Sequence, residues 1–153
     1  MVNPSAGLLM YKLGDGELKV LLVHPGGPFY KNKDEGSWSI PKGEPNEGED
    51  ILETAKREFE EEIGTRAEGK FILLGTIKQK SGKVVHAWAF QGNIEKFETK
   101  SFFNLEWPPH SGNIQKFPEV DRAEFFSIED ARKKINPAQI EFLDRLQGML
   151  QKQ

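Results

Sequence analysis

The stretch from Glu49 to Ile63 constrains this chain more than any other. Ile51, Leu52, Ala55, Phe59 and Ile63 recur there at the 3.6-residue period of an α-helix with one apolar side. Gly64 follows at once, as suits the left-handed residue that closes a helix. On the same helix Glu58, Glu61 and Glu62 span an arc of about 100°, so their carboxylates converge on one point. Their mutual repulsion calls for a cation, and oxygen-only ligands suit magnesium or manganese. Glu62 falls at the margin of the apolar stripe, which favours a site at the packed edge of the helix. Glu49, Glu53, Lys56 and Glu60 lie on the opposite arc and are expected to form a solvated face with local ion pairs.

Around this helix the pattern is that of strands. Ala6 to Tyr11 and Leu18 to His24 read as a hairpin joined through Gly14-Asp15-Gly16, whose glycines tolerate the positive φ of a tight turn. A loop rich in turn formers follows, from His24-Pro25-Gly26-Gly27-Pro28 through Lys31 to Gly36, and ends before Trp38. Phe71 to Gln79 and Val84 to Gln91 are two further strands flanking the turn Ser81-Gly82. The second of them puts Val84, His86, Trp88 and Phe90 on a bulky face, and Val85, Ala87 and Ala89 on a small one. Glu95 to Pro118, with Pro108-Pro109, Gly112 and Pro118, has no clear period and reads as a long irregular insertion. A short strand near Glu124 to Phe126 precedes two helix starts. Ser127 with Asp130 and Asn136 with Gln139 resemble capping boxes, and Pro137 suits a first helical position.

At 153 residues the chain fits one domain, here 1–153, with room for a core and for one site. The absence of cysteine excludes disulfides, thiolate metal sites and cysteine nucleophiles. A formal charge of -3 offers no broad attraction for nucleic acid phosphates, so a polyanionic ligand needs a local site. Apolar runs such as Val20 to Val23 are strand-sized, far below the roughly 18 residues of a membrane span. The first ten residues lack a basic start and a long apolar stretch, so a cytoplasmic protein is expected.

A run of glutamates alone is usually a charged surface, but here the spacing carries more. A glycine, five residues, a glutamate, seven residues, then Arg-Glu, an aliphatic, any residue, Glu-Glu, any residue, Gly and an aliphatic is the Nudix box. Gly43, Glu49, Arg57, Glu58, Glu61, Glu62 and Gly64 match it, while Phe59 is aromatic and Thr65 polar at its two hydrophobic slots. The segment Gly43 to Thr65 thus resembles the MutT-like Nudix hydrolases. The resemblance implies an α/β/α sandwich with a mixed β-sheet and a metal-dependent attack of water on phosphorus. It assigns Glu58 and Glu62 as principal metal ligands, Glu61 as a further or water-mediated ligand and the Lys42 carbonyl as a backbone ligand, with Mg2+ or Mn2+ as the ion. It leaves open which glutamate is the base, and makes Arg57 the group that orients a neighbouring carboxylate, with a plain surface ion pair as the alternative.

Trp38-Ser39-Ile40-Pro41-Lys42-Gly43 is similar to the entry of the box in dinucleoside polyphosphate hydrolases and in RNA-decapping relatives. The Lys42 side chain is a candidate phosphate contact or a solvent-facing lysine. Glu119, shortly before Phe125, is similar to a late glutamate that supplies the metals with another carboxylate in the first of those groups; an ordinary loop glutamate is the alternative. Tyr30, His86 and Trp88 are candidates to stack on a base or, for the histidine, to polarise a phosphate; for His86 and Trp88 a core position is the alternative. Phe102, Phe103, Trp107 and His110 of the insertion either line a pocket or pack the loop down. The expected function is a pyrophosphohydrolase of nucleoside polyphosphates, with dinucleoside polyphosphates leading. The alternatives are removal of caps or pyrophosphate from RNA 5′ ends, which calls for a basic channel or an extra domain, and a nucleotide-sensing module that does not cleave. The partner expected is a nucleotide-type small molecule, with neither membrane nor DNA-binding domain.

Overall fold

The structure is a computed structural model that describes residues 3–152; Met1, Val2 and Gln153, part of the domain expected over 1–153, lie outside the described residues. Strands β1 (Ser5–Gly14) and β2 (Glu17–Pro25) form the expected hairpin. Asp15 at φ 53° and Gly16 at φ 74° make its turn, two successive left-handed residues that match the twist of the strands. A two-residue strand β3 (Lys42–Gly43) follows, then helix α1 (Ile51–Ile63), β4 (Ile72–Lys78) and β5 (Val84–Gln91). Next come β6 (Phe102–Glu106), β7 (Ile114–Pro118), β8 (Val120–Ser127), α2 (Ile128–Lys134), a 3₁₀ turn (Pro137–Gln139) and α3 (Ile140–Gln151). The main sheet runs β4-β5-β1-β2-β8 with β3 beside β1, and it is mixed because β1 and β5 are parallel while the other pairs are antiparallel.

Alternation along β1 divides the core in two. Ala6, Leu8 and Met10, with Leu21, Val23 and Phe90, pack against Ala55, Phe59 and Ile63 of α1. Leu9, Tyr11, Val20 and Leu22, with Val85, Ala87 and Ala89, pack against Ala131 of α2 and Phe142, Leu143 and Leu146 of α3. The sheet is therefore covered on both faces, the α/β/α arrangement that the resemblance implied. On β5 the small residues Val85, Ala87 and Ala89 are fully buried, whereas His86 and Trp88 are only half-buried. No helix among the described residues is long and apolar enough to cross a membrane.

Three local expectations change. The segment read as an irregular insertion contains a β-hairpin, since β6 and β7 pair from Phe102 opposite Pro118 to Glu106 opposite Ile114. Pro108, Pro109 and Gly112 fall in its turn, where Glu106 accepts from the N–H groups of His110 and Gly112, while Pro118 ends β7. Helix α1 starts at Ile51 with Asp50 as its cap, so Glu49 precedes the helix. Ser127 Oγ accepts from Asp130 N–H as a cap should, but only half of the second box forms: Asn136 Oδ1 accepts from Ala138 N–H while the Gln139 side chain turns into the core.

Candidate active site

Arg57 organises the first turns of α1 and what precedes them. Its Nε donates to Glu49 Oε2 at 2.9 Å and its Nη2 to Glu49 Oε1 at 3.0 Å. Nη2 also reaches the Glu44 carbonyl at 3.0 Å, while Nη1 donates to Glu58 Oε1 at 2.9 Å and Glu61 Oε1 at 3.1 Å. Glu49 accepts further from Asn46 N–H at 3.0 Å and Thr54 Oγ at 2.8 Å. It is not the solvated glutamate expected from the helical wheel, because it lies before the helix and faces Arg57. The Arg57 guanidinium, and then the Asn46 N–H, pull its carboxyl down to about 2.

A cavity of about 440 Å³ gathers the box residues: Lys42, Gly43, Glu58, Glu61, Glu62 and Glu119 line it. Gly43 lets the Glu58 carboxyl lie against the backbone, since a Cβ on it would come within 2.1 Å of that carboxyl carbon and displace the end of the side chain. Glu62 keeps 7% of its surface exposed, as its place at the edge of the apolar stripe predicted. Burial pushes its carboxyl well above the usual range, and Glu58 adds to the push. Glu58 is raised by burial and then by Glu61. Glu119 acts on both, and its backbone is pinned on two sides, N–H to the Ser101 carbonyl and carbonyl to the Gly26 N–H, each at 2.9 Å. Burial lowers Lys42, and the neighbouring Lys83 lowers it further.

Tyr30, His86 and Trp88 are not brought to this cavity. Tyr30 stands in the loop after β2, with Lys33 Nζ 5.7 Å from its ring centroid. Trp88 packs against the core under α1. Three other residues belong to the site's surroundings although no motif marked them for it. Lys83, from the turn before β5, lines the cavity and pairs with Glu44 at 3.0 Å. Ser5, the first residue of β1, lines it too. Gln139, fully buried, accepts from Ile40 N–H at 3.0 Å and donates to Ser39 Oγ at 3.1 Å and Gln79 Oε1 at 3.2 Å, which fixes the segment leading into Lys42.

The donor set fits a hard divalent cation. Five carboxylates, Glu44, Glu58, Glu61, Glu62 and Glu119, border one cavity; Glu58 and Glu62 are raised because burial and like charge disfavour ionisation, and a cation between those two removes that penalty. Among the described residues no three acidic, imidazole or thiol side chains already stand as a closed metal-holding group. Glu58 is held aside by Arg57.

The NUDIX domain family model matches residues 1–146. No curated protein sequence matches the chain. Among solved structures it is similar to a C. elegans Ap4A hydrolase in a binary complex, at 22% identity over 97% of this chain and 99% of that one, with a TM-score of 0.70. It is similar also to the NUDIX domain of Shewanella oneidensis NrtR complexed with ADP ribose, at 16% identity, 98% and 89% coverage and a TM-score of 0.70. A third is the Nudix hydrolase RenU of M. smegmatis, at 18% identity, 98% and 87% coverage and a TM-score of 0.61. At such identities the structural likeness speaks for the fold.

Proposed function

The chain belongs to the Nudix family and is a hydrolase acting on phosphoanhydride bonds, and from that premise we propose that it is a magnesium-dependent pyrophosphohydrolase of nucleoside polyphosphates, dinucleoside polyphosphates above all. Nudix hydrolases generally use divalent metal ions. What carries the proposal is the pairing in one cavity of the carboxylates Glu58, Glu61, Glu62 and Glu119 with the cations Lys42 and Lys83. A phosphate bridged to the protein through a cation needs both signs of charge.

In this reading Glu58 and Glu62 hold the cation with the Lys42 carbonyl, and Glu61 and Glu119 complete the set. A divalent ion, when bound, neutralises charge on the phosphate and acidifies a water. Arg57 holds Glu58 and Glu61 together through Nη1, so that the two carboxylates close on the cation from one side. A carboxylate among Glu58, Glu61 and Glu62 takes the proton of the attacking water. Lys42, forced into a desolvated position, presents its ammonium to a phosphate oxygen. The C. elegans relative is an Ap4A hydrolase, and the box entry Trp38 to Gly43 resembles that group; both support the reading that dinucleoside polyphosphates are the substrates.

The test is product analysis with a panel of dinucleoside polyphosphates, nucleoside triphosphates, ADP-ribose and capped RNA in the presence of Mg2+. Dinucleoside polyphosphates are expected to turn over fastest. Failure to cleave any member of the panel contradicts the proposal, and preference for capped RNA overturns the substrate class.

A further inference from the structure

The ladder between β2 and β8 keeps one register from Lys19 opposite Ser127 to His24 opposite Arg122, then shifts so that Pro25 stands opposite Val120. Asp121 is passed over, which makes it the extra residue of a β-bulge. The faces of the strand show the same break. Val120 and Ala123 both pack on the α1 side of the sheet, although unbroken alternation puts residues three apart on opposite faces. Asp121 and Arg122 turn to the other side, where Trp38 belongs to the core under α2 and α3 and the Arg122 Cζ lies 5.0 Å from its ring centroid. There the buried His24 stands between two acceptors, Asp121 Oδ1 at 2.8 Å from Nδ1 and the Lys33 carbonyl at 2.6 Å from Nε2. Its ring also packs edge-on against Trp38, at 5.2 Å between centroids. Three contacts thus fix the imidazole, and through it Asp121.

The bulge matters for the residue just before the strand. Glu119 borders the cavity of the box carboxylates, and its carbonyl takes the N–H of Gly26, the residue after Pro25, at 2.9 Å. Without the bulge, the chain before Asp121 slides by one residue along β2, about 3.3 Å, and its faces exchange. Glu119 then loses Gly26 and leaves the place from which it acts on Glu58 and Glu62.

We propose that His24 and Asp121 are positioning residues for the cation site: their hydrogen bond holds the bulge, and the bulge sets Glu119 beside Glu58 and Glu62. The proposal rests on the hydrolase reading above, which makes Glu119 one of the cation's ligands. Both residues lie on the face of the sheet away from α1, so they act through the backbone of β8 rather than by touching the cation. The bulge leaves Asp121 outside the ladder, and its side-chain bond to His24 stands in for the pairing that a regular register supplies.

The experiment is calorimetric titration of Mn2+ alone, without nucleotide, into wild type, Asp121→Ala, Asp121→Asn, Glu119→Gln and the double variant of Asp121→Ala with Glu119→Gln. Asp121→Ala is expected to weaken Mn2+ binding about tenfold, the scale on which the partners of metal ligands tune affinity. Asp121→Asn keeps an oxygen for His24 and recovers most of the affinity. In the Glu119→Gln background Asp121→Ala changes nothing further, because the ligand it positions is already gone. If Asp121→Ala does not fold, Asp121→Ser, one atom too short for the bond to His24, takes its place with the same expectations. Wild-type affinity in Asp121→Ala, a loss that persists undiminished in the Glu119→Gln background, or no Mn2+ binding by wild type overturns the proposal. Magnesium-supported hydrolysis, measured separately, judges the hydrolase reading itself. A protein that binds Mn2+ in the expected pattern yet cleaves no diphosphate keeps the positioning pair and loses the reaction. A hydrolase whose Asp121→Ala variant binds Mn2+ as tightly as wild type keeps the reaction and loses the pair.

Discussion

Arg57 grips Glu49 through two hydrogen bonds, Nε to Oε2 at 2.9 Å and Nη2 to Oε1 at 3.0 Å. The same guanidinium reaches Glu58 and Glu61 through Nη1, so the loop before α1 and the carboxylates on it are set by one side chain. A lysine has no fork to divide among three acids. Arg57→Lys is therefore expected to lower kcat by about a hundredfold, the cost of misplacing reacting groups by about 1 Å, with a smaller change in KM. Steady-state kinetics on the best member of the substrate panel checks this.

The Arg57–Glu49 pair also sets a pH dependence. The carboxyl of Glu49 falls from 4.5 to about 2 on folding, so the unfolded chain binds its proton first as the solution is acidified. The stabilisation is complete above pH 4.5 and drains away as pH falls toward 2. Urea midpoints of wild type and Glu49→Gln should differ most near neutrality and converge below pH 4. A difference that stays constant down to pH 3 contradicts the pairing.

Gly43 leaves no room for a methyl group. In Gly43→Ala the new Cβ meets the Glu58 carboxyl carbon at 2.1 Å, so the end of the glutamate must swing away. Turnover should fall steeply while the thermal midpoint changes little, because the displaced atoms are the tip of a side chain. Melting curves and initial rates on one preparation separate the two effects.

Gln139 closes a polar knot inside the core. Gln139→Leu leaves the Ile40 N–H buried without its acceptor, and should cost about 1–3 kcal/mol in denaturant unfolding. Gln139→Glu keeps that acceptor but loses the two donations to Ser39 and Gln79, and is expected to lie between wild type and the leucine variant.

How much of this was legible in the sequence depends on how local each signal is. The helix α1, the convergence of Glu58, Glu61 and Glu62, and the burial of Glu62 all follow from one 3.6-residue period. The hairpin β6–β7 was missed because both its strands are largely exposed: in β6 the exposed Phe102 blurs the alternation of Phe103 and Leu105, and Pro108, Pro109 and Gly112 dominate the turn. Glu49 was assigned to solvent by extending the helical wheel two residues too far. Ser5, Lys83 and Gln139 carry no motif. Gln139 even matched a capping pattern, yet a partner 99 residues away in sequence, Ile40, outbids the local one. The places of Ser5 and Lys83 arise from strand pairing, which brings β1, β3 and the turn before β5 to one cavity. Tyr30, His86 and Trp88 were singled out by residue type alone, and residue type does not say which way a side chain faces.

If the carboxylates of α1 and a divalent cation support attack of water on a diphosphate, Glu62→Gln removes that activity. The replacement is nearly isosteric and removes a buried carboxyl that burial and Glu58 already disfavour as a charge, so the folded state should hold or gain stability. Initial rates of diadenosine polyphosphate hydrolysis with Mg2+ should fall by about a hundredfold or more in a variant that melts no lower than wild type. Wild-type rates in a well-folded Glu62→Gln protein would contradict the account.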